Sequence, residues 1–467
     1  MSPLGTKLTL TILRLKFKKE EKMSQCSVQL ASMYQQKKKT ASEAAKMLPK
    51  KGNISIPYFG GVPVDLVSAI GKEASSGTYD LLNLYCMRGT THMSQELFKP
   101  EVAEHIKFRP FFMGPDERAF LAEGLEVGKK YIEYVPGAFS QIPGLMADVI
   151  GIDTIVIAVS AMDSHGYFSL GITGAYTQRV MRKARQIIIE VNKNIPRTFG
   201  DTLIHLSEVS ALTECNQALQ LSPSRPGTDL DNKIGSHIID LIPDRSCVQF
   251  GIGGVPNVIA TLLKQHKDLG VHTELLADGV VDLIECGAVS NRYKKINLHK
   301  SVFNVAMGTQ KVYDFVNDNP SVECYGADYV NDPYVIAQND SMISVNAFVE
   351  IDLSGQVNAE FMGGHQYSGP GGALDFVRGA VLSKGGKSFL ASQSTAAHGK
   401  VSRIVPRLSS ITTDPRGEIQ YIVTEQGICN LQGKSTSERT KALIELAAPE
   451  FRESLFNEAL KMKLIVK

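Results

Sequence analysis

Two stretches far apart in this chain repeat one design, and that repetition constrains the fold more than any other feature. Phe59-Gly60-Gly61-Val62-Pro63 closes an apolar run, Ile54 to Phe59, and Gly251-Ile252-Gly253-Gly254-Val255-Pro256 follows another, Cys247 to Phe250. An amphipathic run comes next in each case, Val62 to Lys72 and Asn257 to Lys267. A second apolar run then follows, Asp80 to Met87 and Gly270 to Leu275. Glycine lets the backbone turn sharply from strand to helix, and proline suits the first helical turn. Strand, turn, helix, strand is the building unit of a parallel sheet. Its recurrence points to two related α/β domains. A chain of 467 residues is also too long for one ordinary core.

The rest of the chain fits this plan. Asp153 to Val159, Gln186 to Val191 and Met342 to Val345 read as further strands, and Ser437 to Ala448 as the last strong helix. Ser435-Thr436-Ser437-Glu438 supplies that helix with capping groups and an early acid. Asn194 to Gly200 reads as a loop. Ser222-Pro223-Ser224-Arg225-Pro226-Gly227 disfavours regular structure and marks the domain boundary. The expected division is an N-terminal extension over 1–40, in part disordered, a first α/β domain over 41–220 and a second over 221–467. Residues 1–22 carry lysines around a short apolar stretch, and Met23 offers an alternative start. Either a tail or a mitochondrial transit peptide fits them. Without targeting, the chain is expected in the cytoplasm.

Composition excludes several functions. A net charge of +2 gives no field for nucleic acid. The 7 cysteines include no C-x-x-C pair, which argues against a zinc site or a disulfide scaffold. No apolar run reaches the roughly 18 residues of a membrane span. There is no Gly-x-Ser-x-Gly elbow for a serine hydrolase and no His-x-x-x-His pair for a metal.

Three groups of residues are candidates for chemistry. Gly251-Ile252-Gly253-Gly254 can aim backbone N–H groups at an anion, or can be a plain structural turn. It lacks the last glycine of the nicotinamide fingerprint. Glu274 stands near the end of a strand, where α/β sheets bind ligands, with Asp278 and Glu285 as competing acids. Asp278-Gly279 itself reads as a turn. Ser368-Gly369-Pro370-Gly371-Gly372 is too flexible to be chosen for stability and permits close approach to a ligand. His272 alternates onto the Glu274 face and reads as packed or hydrogen-bonded, with tuning of the site as the other reading.

At these residues the chain resembles the acetyl-CoA hydrolase/transferase family, and within it the 4-hydroxybutyrate and butyrate:acetate CoA-transferases. The resemblance runs from about residue 41 to the C-terminus. It is strongest at Gly251 to Pro256, His272 to Val281, Ser354 to Glu360, Gly369 to Phe376 and Thr424-Glu425-Gln426-Gly427. It implies two open α/β domains with mainly parallel sheets, the CoA-transferase fold, and an active site in the cleft between them. It implies Glu274 as the catalytic carboxylate, with an oxyanion site from the Asn331 side chain and the Gly372 N–H. Contacts to coenzyme A are implied at Gln249, Phe250, Gly251, Ile252, Gly253, Val349, Ser368, Gly371 and Gly372, and at Lys400. The expected partners are acyl-CoA and short-chain carboxylates, with no metal and no cofactor beyond CoA as substrate. A homodimer is implied as well. Three functions stay open at this point: CoA transfer between carboxylic acids, hydrolysis of acyl-CoA by the same glutamate, and non-catalytic CoA binding.

Overall fold

The computed structural model describes residues 27–466. The first sheet holds β1 (Lys51–Ser55), β2 (Leu81–Cys86), β3 (Ile106–Pro110), β4 (Thr154–Val159), β5 (Gln186–Asn192) and β6 (Ala211–Cys215). Their order in space is β3-β2-β1-β4-β5-β6, and every pair is parallel. β4 is buried at each position, as a strand covered on both faces must be. Apolar side chains form a core on either side of the sheet.

The second sheet repeats the plan with more strands. It holds β7 (Cys247–Phe250), β8 (Gly270–Leu276), β9 (Ser301–Ala306), β10 (Val322–Cys324), β11 (Met342–Asn346), β12 (Lys387–Ala391), β13 (Tyr421–Thr424) and β14 (Gly427–Asn430). The order is β14-β13-β12-β11-β7-β8-β9-β10, and β14 alone runs antiparallel to its neighbour. The outermost position beside β10 is taken by Phe199–Gly200, a two-residue strand from the first half of the chain. The fold is therefore two mainly parallel α/β units joined by a shared sheet edge.

In each sheet the strand order reverses beside the first strand. β1 lies between β2 and β4, and β7 between β8 and β11. A reversal leaves a crevice at the C-terminal ends of the strands, which is where such sheets bind ligands. Both repeated turns lie at these crevices. Phe59–Gly61 forms a single 3-10 turn before α1 (Val64–Ser75). Gly253 caps α2 (Gly254–Leu262) at φ 130°, a conformation that side chains disfavour.

Several local expectations need correction. The first strand stops at Ser55, not Phe59, and Pro57 has no N–H to continue the ladder. α1 and α2 begin at Val64 and Gly254, and α2 gives way to a 3-10 turn, Leu263–Gln265. Asp278-Gly279 is not a free turn but the start of α3 (Asp278–Glu285). The expected last helix runs Thr436–Leu446, with a capping box between Ser435 and Glu438. It is followed by a longer one, Pro449–Lys461, which starts on proline. The loop expected over 194–200 ends in the paired strand Phe199–Gly200.

Of the expected extension over 1–40, residues 1–26 lie outside the described part. Residues 27–37 are helical, and Lys38 bridges to Leu212 beside β6. Among the described residues no helix is long and apolar enough to cross a membrane. The described cysteines are all free thiols.

Candidate active site in the cleft between the domains

Glu274 sits near the C-terminal end of β8. Strand alternation puts it on the same face as His272. His272 is fully buried, and its Nε2 donates to the Val330 carbonyl at 2.8 Å. Burial pushes its pKa down to about 3, so the ring is neutral. Its hydrogen bond fixes Val330, the residue just before Asn331.

Asn331 follows the short helix Ala327–Val330 and is buried. Its Nδ2 donates to Glu274 Oε2 at 2.6 Å. The Gly372 backbone N–H donates to the same carboxylate. Gly372 is the N-cap of α4 (Ala373–Leu382) and has an ordinary φ of −102°. Its side-chain position is nevertheless occupied: a Cβ there would fall on Asn331 Nδ2 and Glu274 Oε2. Close approach, not backbone strain, demands glycine here. Gly371, at φ 55°, makes the turn that brings it in.

The first domain holds this loop down. The Phe139 N–H donates to the Gly371 carbonyl at 3.1 Å and the Met113 N–H to the Ser368 carbonyl at 3.4 Å. Asp375, in the first turn of α4, accepts from the Ser140 N–H at 2.9 Å and the Ser140 hydroxyl at 2.7 Å. The glycine loop thus belongs to one domain by sequence and is fixed by the other.

Burial raises the Glu274 pKa to about 7; the Asn331 donor opposes the rise, the charge of Asp375 adds to it, and the Gly372 N–H opposes it. The carboxylate is expensive to ionise, yet two donors, Asn331 on Oε2 and the Gly372 N–H, favour its charged form. Glu274 lines a cavity of about 480 Å³ between the domains. Tyr58, Phe59, Met87 and Arg88 line it from the first domain, and Gln249, Ile252 and Leu275 from the second.

The residues singled out from sequence separate into two sets. Glu274, Gly371, Gly372, Gln249, Gly251 and Ile252 line the cavity, and Asn331 touches it through Glu274. Phe250 packs in the second core and Gly253 caps α2, both just behind the lining. Val349 lies off the cavity, its N–H donating to the Asn358 carbonyl at 2.9 Å. Ser368 binds the Glu360 carbonyl through its N–H, and Lys400 is exposed on a turn with Ala397. Of the competing acids, Asp278 accepts from the Thr309 N–H at 3.1 Å, and Glu285 pairs with Lys311 at 2.6 Å. Among the described residues no group of three or more His, Cys, Asp or Glu is placed to hold a metal ion.

Sequence reasoning missed the lining from the first domain. Phe59 was within the repeated turn, and its counterpart Ile252 was singled out, so the repeat itself was a usable signal. Arg88-Gly89 at the end of β2 carried a weaker one: a charge where a parallel strand meets the crevice.

Comparison with known proteins now adds to this geometry. The family models for the acetyl-CoA hydrolase/transferase N-terminal and C-terminal domains match residues 18–220 and 308–459. The chain belongs to the acetyl-CoA hydrolase/transferase family. A 4-hydroxybutyrate coenzyme A transferase of Clostridium kluyveri is 40% identical over 91% of this chain and 98% of its own. A butyryl-CoA:acetate CoA-transferase of Anaerostipes caccae is 37% identical over 92% of this chain and 97% of its own. The crystal structure of RipA from Yersinia pestis superposes with a TM-score of 0.90 at 44% identity, covering 93% of this chain and 100% of that one. Both of these curated relatives, matched nearly end to end, are named as CoA-transferases, and the RipA superposition shows a shared fold.

Proposed function

We propose that this chain moves coenzyme A from an acyl-CoA to a carboxylic acid, with Glu274 as the covalent carrier. The short-chain substrates that fit the reading are 4-hydroxybutyryl-CoA or butyryl-CoA as donor and acetate as acceptor. The observation that carries it is a single carboxylate lining the cleft, with its Oε2 held by Asn331 Nδ2 and the Gly372 N–H as a second donor.

The chemistry follows from that arrangement. The other oxygen of Glu274 attacks the thioester carbonyl, the C–S bond breaks, and CoA leaves as thiolate. The product is a mixed anhydride between the acyl group and Glu274. The thiolate then attacks the glutamyl carbonyl carbon. In that tetrahedral species the oxygen held by Asn331 Nδ2 and the Gly372 N–H carries the negative charge. Such donors, preorganised in a dry site, are worth about 3 kcal/mol each. The anhydride C–O bond breaks, the first acid departs as carboxylate, and a glutamyl-CoA thioester remains. The acceptor carboxylate runs the same steps in reverse and restores ionised Glu274, so no net proton moves. Contacts along the CoA chain at Gln249, Gly251 and Ile252 supply binding energy remote from the reacting atoms. CoA enters as substrate, and the scheme uses no other cofactor. Family membership is what supports a homodimer and a cytoplasmic setting.

The test is to trap the thioester. With acyl-CoA present and acceptor absent, borohydride or hydroxylamine should inactivate the enzyme and modify the Glu274 peptide. Modification of another carboxylate, or none, would remove Glu274 as carrier. Acyl-CoA consumption that does not depend on added acetate would point to hydrolysis instead.

A further inference from the structure

Glu360 takes no part in the steps above, although it ends Ser354 to Glu360, a stretch that the sequence singles out. It is buried, and its carboxylate collects three donors. The Tyr134 hydroxyl donates to Oε2 at 2.9 Å and Gln366 Nε2 to the same oxygen at 2.7 Å. The Thr413 hydroxyl donates to Oε1 at 3.1 Å. Within the stretch, Asn358 Oδ1 accepts from the Glu360 N–H at 3.1 Å. The Glu360 carbonyl accepts from the N–H groups of Tyr367 and Ser368, each at 2.9 Å. Between Glu360 and Ser368 the chain makes a small hairpin, Phe361–Met362 against His365–Gln366. Glu360 thus pins both ends of the hairpin, and Gly369 to Gly372 continue directly from the second end.

Tyr134 belongs to the first domain. Its neighbour Val135 donates through its N–H to the Pro110 carbonyl at 2.9 Å, which ties this segment to the end of β3. Burial first, and then the Glu360 charge, push the Tyr134 pKa up, so the hydroxyl stays a donor. The same run supplies the Phe139 N–H to Gly371 and Ser140 to Asp375. Arg118, also of the first domain, donates to the Tyr367 carbonyl at 2.5 Å, and its guanidinium carbon lies 4.1 Å from the Tyr367 ring centre. The root of the glycine loop and its tip are therefore held by one surface. A glycine loop is soft on its own, whereas a donor in a reacting site must be placed to within about 0.5 Å. Hydrogen bonds to a carboxylate are strong enough to set such a position.

We propose that Glu360 is a positioning residue for the reaction. Through Tyr134 it registers the root of the glycine loop, and hence the Gly372 N–H, against the first domain. This rests on the transferase reading and adds the device that keeps its second oxyanion donor in place. Glu360 stands outside the cavity lining, so it acts through the loop and not on substrate.

The experiment follows CoA transfer from butyryl-CoA to acetate in the full-length enzyme, in Tyr134→Phe, in Gly372→Ala and in the double variant. In Tyr134→Phe kcat should fall about tenfold with KM for butyryl-CoA little changed, the scale of a part-ångström displacement when about 1 Å costs a hundredfold. On top of Gly372→Ala the same change should cost less than about twofold, because both spoil one placement. Amide exchange at Gly371 and Gly372 should be faster in Tyr134→Phe than in the native protein. Native kcat in Tyr134→Phe overturns the proposal. So does a full tenfold loss repeated on top of Gly372→Ala, which would assign Tyr134 to general stability. Glu360→Gln should show the same split between kcat and KM; if it does not fold, Tyr134→Phe decides alone. A native enzyme that transfers CoA from neither butyryl-CoA nor 4-hydroxybutyryl-CoA overturns the transferase reading. Faster exchange in Tyr134→Phe would then still support the registering contact, and unchanged exchange would overturn it as well.

Discussion

Glu274 carries a cost that can be measured apart from catalysis. Desolvation in the cleft pushes its carboxyl up to about 7, against an ordinary value of 4.5. The folded state therefore favours the protonated form. That advantage is complete below about pH 4.5 and is lost as pH rises through 7. Glu274→Gln keeps the shape and the Asn331 contact without the charge. It should abolish transfer and leave the fold more stable than native at pH 8, by about 3 kcal/mol, and by little at pH 4.5. Thermal midpoints at the two pH values check the sign; equal midpoints at pH 8 would contradict it. For the native enzyme, kcat/KM should fall as pH drops below about 7, because the nucleophile becomes protonated. Gly372→Ala presents a different case. Its φ suits alanine, so the chain should fold, but the new methyl would displace either Asn331 or Glu274. Turnover should drop by at least about a hundredfold, since a misplacement of about 1 Å costs that much. Native kinetics in a folded Gly372→Ala protein would remove Gly372 from the site.

At the scale of elements, α4 links the domains to the carboxylate. Asp375 holds Ser140 of the first domain and also raises the Glu274 pKa through its charge. Asp375→Asn should thus move the acid limb of the kcat/KM profile to lower pH, while a loss of amplitude alone would indicate a purely mechanical role. The elements around this helix also show what sequence can disclose. Strand, glycine turn and helix were legible twice, because glycine, proline and apolar runs act locally. Glu274 and the Gly371-Gly372 segment were legible for the same reason, aided by resemblance. Local signals blurred at the borders: Pro57 ended a strand that apolar pattern alone would prolong, and Pro449 restarted a helix where the previous one had stopped. Arg88 and Tyr58 were hidden because their part in the cavity depends on packing between halves of the chain. His272 was seen as packed, but its grip on the Val330 carbonyl is a long-range contact that no spacing announces.

At the scale of the whole molecule, the two halves are sewn together by backbone. Phe199–Gly200 completes the second sheet, and the Ile172 carbonyl accepts from the Ala306 N–H at 2.9 Å. The Gly174 N–H donates to the Asn304 carbonyl at 2.8 Å. Gly200 has φ 101°, and a Cβ there would fall on the Cys324 carbonyl. Gly200→Ala should cost about 1–3 kcal/mol, read as a lower thermal midpoint and faster amide exchange in Val322–Cys324. An unchanged midpoint would show that the shared edge holds nothing. This stitching also bears on how reactants travel. A cleft laced by main-chain bonds on one side resists separation of its halves there. On the proposed reading, a carrier that keeps CoA covalently tethered suits such a shell, since between half-reactions only one small acid has to slip out and another slip in.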